Sequence, residues 1–241
     1  MLRLASVLSL LAATLACSTI DSSDLETSGM KAAMEVVRTA DGSNVAVSLS
    51  AGTLNFVTLS DGDALTATAN EQSVTLAESN VLNAIAYLGV LDANTKGDEV
   101  TISLTRIDKD PAPASTVVLP ASVAITAPAA SAAFSRANDD IVIDLTNEES
   151  TDALRLSWAG PCVNEDGLDL AADQASVTIN AGTIVKREQV DANDPDSQPV
   201  EDTCTITLRV ERRVTGTLDA AFKEGQITAV ASSSVDVTSN L

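Results

Sequence analysis

The sequence has no histidine, and it has few aromatic side chains. Without histidine, no Ser-His-Asp or Cys-His catalytic arrangement can form, and histidine zinc sites are excluded as well. Neither a P-loop nor a Gly-x-Gly-x-x-Gly fingerprint is present, so the sequence shows no phosphate-binding motif for a nucleotide cofactor. Paired carboxylates for glycoside cleavage remain possible among the 34 acidic residues. The aromatic side chains that sugar sites usually need are only Phe56, Tyr87, Phe134, Trp158 and Phe222.

Basic residues are also scarce. The chain has 14 Lys and Arg against 34 Asp and Glu, a net charge of −20. Nucleic-acid affinity comes largely from clustered Lys and Arg that neutralise phosphates, and the one such cluster is Arg209, Arg212 and Arg213. We therefore expect no nucleic-acid partner, no enzyme activity and no organic cofactor.

One apolar run stands out, from Leu4 to Ala16, and it follows the positive charge of Arg3. A positive residue, then 7 to 15 apolar residues and a small residue, is typical of an export signal, whereas a spanning helix needs about 20 apolar residues. We predict a signal peptide over residues 1–16. Its removal takes away one of the 14 basic residues and leaves 225 residues with a net charge of about −21.

The apolar run ends in the sequence Ala13-Thr14-Leu15-Ala16-Cys17 and then turns polar. This segment resembles the bacterial lipobox, although Thr14 stands where leucine is commonest. The resemblance implies that Cys17 receives a diacylglycerol, that the chain is cut before it, and that the new amino end is acylated, for example with palmitate. An unmodified cysteine after an ordinary signal peptide is the alternative. By the sorting rule of Gram-negative lipoproteins, Ser18 in place of Asp implies the outer membrane, with the periplasmic or outer face left open.

The cysteine count agrees with this interpretation. Three cysteines in an exported chain leave one without a partner unless one has another use. With Cys17 lipidated, we expect Cys162 and Cys204 to form a disulfide, since disulfides persist in oxidising compartments. The bridge would close a loop of 42 residues, for which the chain-entropy model gives at most about 4 kcal/mol of stabilisation. Two buried free thiols are the alternative.

Most of the remaining chain consists of short runs in which apolar and polar residues alternate, and this pattern indicates half-buried β-strands. Val, Ile and Thr dominate the runs, as they do in strands. The predicted strands are 45–49, 55–59, 65–69, 73–76, 100–105, 116–119, 123–126, 141–145, 154–158, 176–179, 183–187, 204–211, 227–230 and 235–238. Two segments favour helical structure, a short helix over 81–91 and a single turn over 218–222.

About a dozen strands over some 210 residues suit two sandwiches of about 100 residues each. The boundary is predicted near Pro120, because Val123 to Thr126 has the pattern of a new first strand. Residues 17–29, rich in Ser, Thr and Asp, are predicted to be a flexible tether. The expected fold is all-β, with two antiparallel β-sandwich domains over residues 30–120 and 121–241.

The second predicted domain resembles immunoglobulin-like domains in having a lone tryptophan, Trp158, on a strand and two cysteines able to bridge. In the immunoglobulin pattern the tryptophan lies between the cysteines, whereas here it precedes both. As a whole, the chain resembles surface lipoproteins built from immunoglobulin-like sandwiches, a resemblance that carries over no functional residues. Alternation places Trp158 and Cys204 on core faces; their neighbours there are Leu154, Leu156, Ile206, Leu208 and Val210.

Acidic residues lie at both ends of the excursion 163–203 between the two cysteines, just after Cys162 and just before Cys204, and the segment Asp191 to Asp196 lies within it. The disulfide would bring the two ends of this excursion together, and clustered carboxylates are the ligands that Ca²⁺ selects. The spacing matches no EF-hand loop, since Pro195 occupies the third ligand position, and a solvated charged loop is the alternative. The candidate ligands are Glu165, Asp166, Glu201 and Asp202.

Three hypotheses follow from the sequence. The first is a membrane-anchored, non-catalytic structural or binding module of the cell envelope, with a protein or glycan partner. The second is a calcium-stabilised adhesion-like module, and the third is a carboxylate-dependent hydrolase. The predicted anchor, the all-β pattern and the missing histidine favour the first.

Overall fold

The computed structural model describes residues 18–52, 55–81, 84–188 and 199–241. In these ranges the chain forms strands and two 3-10 turns, Ser22–Asp24 and Thr27–Gly29, and no α-helix. The strands are β1 (Ser18–Asp21), β2 (Lys31–Thr39), β3 (Gly42–Ala51), β4 (Asn55–Thr58), β5 (Ala64–Ala69), β6 (Gln72–Thr75), β7 (Ala77–Val81), β8 (Ala84–Leu91), β9 (Glu99–Thr105), β10 (Ala112–Val118), β11 (Val123–Ala127), β12 (Ala133–Ser135), β13 (Ile141–Asn147), β14 (Leu154–Gly160), β15 (Val163–Leu170), β16 (Ser176–Ile179), β17 (Cys204–Thr215) and β18 (Glu224–Asn240).

The strands assemble into three sheets. The largest, which we call the shared sheet, has the order β1-β4-β3-β2-β18-β17-β14-β15, with β8 on β3, β7 on β8 and β12 on β18. A four-stranded sheet has the order β10-β9-β5-β6, and a three-stranded sheet has the order β11-β13-β16. The predicted all-β class is confirmed.

Two hydrophobic cores lie between these sheets. In the first unit, Met34 and Val47 of the shared sheet pack with Leu65 and Ile102 of the four-stranded sheet. In the second unit, the shared sheet contributes Trp158, which is 1 % exposed and packs with residues of the three-stranded sheet. Each core thus joins two sheets face to face, which is the arrangement of a β-sandwich. Trp158 lies in the core, as the alternation predicted.

The shared sheet crosses both units. Up to the linker, the first core extends to Leu119, and the second begins at Val123, on either side of Pro120; Phe222, Ile227 and Ala229 also belong to the first core. The predicted extent 121–241 of the second domain is nevertheless wrong, because residues 224–231 of β18 pair with β2 and belong to the first unit. This pairing is parallel, as are β1 with β4 and β12 with β18, so the predicted antiparallel sandwiches are mixed in part.

Four predictions of local structure are corrected. The segment predicted as a helix contains β8, where Ile85, Tyr87 and Leu91 alternate inward; short apolar runs do not distinguish helix from strand by periodicity alone. The excursion after Cys162 begins with β15, an edge strand whose acidic residues hide the alternation. The predicted strand 183–187 makes only a bridge at Lys186, and 227–230 with 235–238 form one strand, β18.

The predicted tether is also corrected over the described residues 18–29. Ser18 to Asp21 pair with Asn55 to Thr58, and the two 3-10 turns follow directly. Ser22 and Thr27 are buried, because their hydroxyl groups are satisfied within the fold: the Ser22 hydroxyl donates to the Asp63 carboxylate at 2.7 Å, and the Thr27 hydroxyl accepts from Arg106 at 3.0 Å. The predicted signal peptide and Cys17 lie outside the described residues. No helix in the described part of the chain has the length and apolarity needed to cross a membrane.

Candidate functional site

The predicted disulfide is present at the far end of the second unit. Cys162 and Cys204 are joined with a Cα–Cα distance of 5.9 Å, within the usual range. Cys162 ends the hairpin connection between β14 and β15, and Cys204 begins β17 opposite Ser239. After β16 the chain returns beside Cys162, where the Arg187 N–H donates to the Cys162 carbonyl at 3.0 Å. The bridge therefore ties the 163–203 excursion to the sheet.

A buried arginine lies against this bridge. Arg136 is 4 % exposed, and its Nη1 lies 3.5 Å from Cys162 Sγ and donates to Ser239 Oγ at 2.9 Å. Its Nη2 donates to the backbone carbonyl of Asp202 at 2.9 Å. One guanidinium thus connects three chain segments at what we call the disulfide end, defined by Arg136, Cys162, Cys204 and Ser239.

The four candidate calcium ligands do not converge, and Glu201 is exposed. The Asp202 carboxylate is 2.5 Å from Lys186 Nζ, and this hydrogen bond lowers the pKa of Asp202. Glu165 and Asp166 lie on β15 instead, beside Arg155 and Arg209. Within the described ranges, no group of three or more acidic or cysteine side chains converges as a metal site would require. The segment Asp191 to Asp196 lies outside these ranges, and calcium binding stays a prediction.

The outer face of the shared sheet carries a network of alternating charge. Arg213 Nη1 is 3.0 Å from Glu35 Oε2, and its Nε is 3.5 Å from Glu211 Oε1. Arg209 contacts the other Glu211 oxygen at 3.4 Å, and Arg155 pairs with the Asp169 carboxylate on β15. These side chains surround a shallow depression of about 540 Å³ lined by Glu35, Arg155, Ser157, Glu165, Asp166, Arg209, Glu211 and Arg213. We call this set the charged face.

Two acidic side chains of the charged face pair with the same arginine. The carboxylates of Glu35 and Glu211 point to Arg213 rather than to each other, so they do not form the facing pair that glycoside cleavage needs. Ion pairs between exposed side chains are weak, about 0 to 1 kcal/mol each.

A second polar feature holds the two units together at the linker. Arg38 of β2 donates to the carbonyls of Asn94 and Pro120 at 2.6 and 2.7 Å and pairs with Glu148 at 3.0 Å. The Glu148 carboxylate also accepts from the Ser122 N–H at 2.9 Å. That backbone hydrogen bond, together with Arg38, lowers the pKa of Glu148.

Arg212 completes this arrangement from the other side. Its side chain is completely buried, and burial lowers its pKa. Its guanidinium donates to four backbone carbonyls, those of Ala121 and Glu148 at 3.3 Å, Asp152 at 3.2 Å and Ala172 at 2.8 Å. We call Arg38, Arg212 and Glu148 the linker clamp, since together they fix residues 120–122.

Sequence reasoning did not identify these buried arginines. It grouped Arg209, Arg212 and Arg213 as one basic cluster, but the structure turns Arg212 inward and the other two outward. The signal was present, because Arg212 has the same strand parity as the core residues Leu208 and Val210. No comparable signal exists for Arg136, whose partners are distant in sequence.

Comparisons with known proteins add no family. No protein-family model matches the chain, and no curated protein matches it. Solved structures with some likeness include the BSP domain of a biofilm-associated protein, with 15 % identity, a TM-score of 0.26, and coverage of 88 % of this chain and 30 % of that one.

Two fibronectin structures are also similar. The fibronectin(III)-like modules of Clostridium thermocellum CbhA have 12 % identity and a TM-score of 0.24, over 88 % of this chain and 90 % of that one. A two-domain fibronectin type III segment of chicken tenascin has 11 % identity and a TM-score of 0.25, over 83 % and 97 %. At TM-scores this low the likenesses carry no argument about function, and the all-β class rests on the strand pairings of this chain.

Proposed function

We propose that the protein is a lipid-anchored lipoprotein of the cell envelope, held in the outer membrane through Cys17, whose body is a non-catalytic structural or binding module. The observation that carries the second part is the continuity of β17 and β18 through both sandwiches. Twelve residues of β17 pair with β18 without interruption, from Cys204 with Ser239 to Thr215 with Thr228. A body joined this way acts as one stiff piece, which suits a spacer or a docking platform.

The linker clamp supports the same interpretation. Two sandwiches joined only by a flexible linker would move relative to each other, which is the usual expectation for small interfaces. Here Arg38, Arg212 and Glu148 fix the linker at residues 120–122 with hydrogen bonds from both units. The charged face then provides the exposed surface through which such a body would meet an envelope protein or a charged glycan.

The anchor is supported by the sequence and by chain connectivity. The lipobox-like segment ends at Cys17. Because Cys162 and Cys204 are bridged to each other, Cys17 is the one of the three cysteines left for lipidation. More than one acyl chain on this residue would give a stable anchor, since a single chain binds only marginally.

The test is metabolic labelling with an alkyne fatty acid in a producing Gram-negative cell, followed by membrane fractionation. We expect label on the native protein in the outer-membrane fraction, and neither label nor membrane association in Cys17→Ala. Equal labelling or equal membrane association of the two forms would contradict the anchor.

The binding role needs a separate measurement. Crosslinking in intact cells should yield a partner with the native protein, and the double variant Arg209→Ser, Arg213→Ser should reduce that product several-fold. The double variant Arg187→Ser, Lys223→Ser removes the same charge away from the charged face and serves as the control. Unchanged crosslinking in the first variant would exclude the charged face as the binding surface.

A further inference from the structure

The folded body begins directly after the predicted anchor. Cys17 is followed by Ser18, the first residue of β1, and Ser18 pairs with Asn55 of β4. One residue of extended chain spans at most about 3.6 Å. The connection between a lipid on Cys17 and the sheet therefore has almost no slack.

The segment that follows β1 is also fixed in place. Arg106 Nη2 donates to the carbonyls of Ser22 and Leu25 at 2.7 and 3.1 Å, and its Nη1 donates to Thr27 Oγ1 at 3.0 Å. The guanidinium itself is held by Asp63 at 2.7 Å in a pair whose side chains are 0 % and 7 % exposed. Detachment of the segment would leave this buried guanidinium without three of its acceptors, so β1 does not detach easily from the body.

Strand register shows which end of the body carries the anchor. Ser18 pairs with Asn55, and Asn55 pairs with Ala51 at the end of β3. In the neighbouring row of the sheet, Lys31 pairs with Ser50 and with Glu224, the first residue of β18. We call these two rows, from Ser18 to Glu224, the anchor end.

Strand β18 connects the anchor end with the disulfide end. It runs 17 residues from Glu224 to Asn240, and Ser239 pairs with Cys204. At about 3.3 Å per residue, a strand of this length spans roughly 55 Å. Because the linker clamp holds the two sandwiches in line along this strand, the two ends cannot approach each other without unfolding.

We propose that the protein stands on the bilayer as a rigid post, with the anchor end against the headgroups and the disulfide end held roughly 50 Å away. This inference rests on the proposed lipid at Cys17. The net charge of the body supports it, because residues 17–241, with a net charge of about −21, are repelled by anionic headgroups and gain nothing by lying flat. The partner is therefore met at a distance from the membrane, along the charged face or at the disulfide end.

The test places a donor fluorophore at either end of the full lipidated protein in vesicles that contain an acceptor-labelled headgroup lipid. An azide-bearing amino acid replaces Lys223 at the anchor end or Ala137 beside Arg136 at the disulfide end; both side chains are exposed. We expect energy transfer to the lipid to be several-fold greater from position 223 than from position 137.

A matched variant carries a flexible Gly/Ser segment inserted between Cys17 and Ser18. Because the insertion restores slack between the lipid and the body, the difference between the two positions should largely disappear. Equal transfer from both positions in the native protein, with the protein still on the vesicles, would overturn the rigid-post inference alone. If native protein and Cys17→Ala both failed to sediment with the vesicles, the anchor and the inference would fall together.

Discussion

At the scale of single residues, buried arginines stabilise this fold more than its surface ion pairs do. Arg106, Arg136 and Arg212 are all buried, in a chain with only 14 basic residues. Each connects backbone carbonyls or side chains from segments far apart in sequence. Hydrogen bonds to charged groups contribute about 1.5 to 3 kcal/mol each, and a carbonyl left unpaired in the core costs a similar amount.

Replacing Arg212 by methionine should lower the free energy of unfolding by about 3 kcal/mol or more. The methionine keeps the apolar stem but leaves four backbone carbonyls without their donor. Urea denaturation measures the change. Arg209→Met on the same strand is the control, because Arg209 is exposed and its loss should change stability by less than about 0.5 kcal/mol. Equal effects would show that the four hydrogen bonds do not stabilise the fold.

Tyr87 provides a second residue-scale measurement, because it is the single tyrosine of the chain. Burial raises the pKa of Tyr87 to about 12, while the hydrogen bond from the Leu59 N–H, 2.9 Å away, opposes the shift. Absorbance at alkaline pH should show a midpoint near 12 for the folded protein and near the ordinary value of about 10 in urea.

The sign of the pH effect follows from this difference. The folded state keeps the phenol neutral while the unfolded state ionises, so stability from Tyr87 is complete below pH 10 and is lost as the pH rises toward 12. Tyr87→Phe should remove that part of the alkaline loss. A folded-state midpoint near 10 would contradict the buried environment.

At the scale of strands and loops, two local devices hold connecting segments in place. The linker clamp fixes the segment between the sandwiches, and the disulfide closes the 163–203 excursion within the second unit. Both act through side chains rather than through strand pairing. Their removal should therefore change stability without changing which strands form.

The Glu148→Gln substitution tests the clamp. Because the pKa of Glu148 is lowered in the folded state, its stabilisation is present above the ordinary carboxyl pKa of about 4.3 and is lost as the pH falls through the lowered value. The variant should lose about 0.5 to 1 kcal/mol at pH 7, a modest amount because the side chain is 37 % exposed. The difference from the native protein should vanish in acid. Glu149→Gln, in the same loop, should show neither effect.

Reduction of the disulfide should lower the free energy of unfolding by about 2 to 4 kcal/mol, since the freed loop of 42 residues gains entropy in the unfolded state. Denaturation of a Cys17→Ala form with and without dithiothreitol measures the loss. The variant that also carries Cys162→Ala and Cys204→Ala is the control, because the reductant should not affect it. An unchanged midpoint on reduction of the native pair would contradict a stabilising role.

At the scale of the whole molecule, the excess of negative charge is the dominant electrostatic feature. A net charge of −20 on one folded body produces self-repulsion, and salt screens such repulsion at distances beyond about 10 Å at 0.1 M ionic strength. This global effect differs from a specific ion site, which would discriminate between cations.

We therefore expect the melting temperature to rise by a few degrees between low and moderate NaCl, with Ca²⁺ and Mg²⁺ giving equal increments at matched ionic strength. The reason is that Asp202 pairs with Lys186, away from Glu165 and Asp166 on the charged face. Differential scanning fluorimetry measures the shifts. A larger increment with Ca²⁺ than with Mg²⁺ would support the calcium hypothesis.

The sequence alone determined the all-β class, most of the strands and the core positions. Alternation with a period of two is a local property, so Trp158, Ile206 and Leu208 could be placed on buried faces without knowing their partners. The cysteine count likewise indicated the bridge, because pairing depends on number and compartment more than on geometry.

Only the tertiary structure decided how these strands are joined. Nothing local distinguishes one long β18 from two short strands, or shows that β18 returns beside β2, since parallel pairing depends on contacts almost 200 residues apart. For the same reason the segment after Ser18 read as a solvated tether, whereas hydrogen bonds from Arg106 and pairing with β4 make it part of the body. The sequence of this segment shows which hydrogen-bond donors and acceptors it contains. Whether water or a distant guanidinium satisfies them depends on the folded chain.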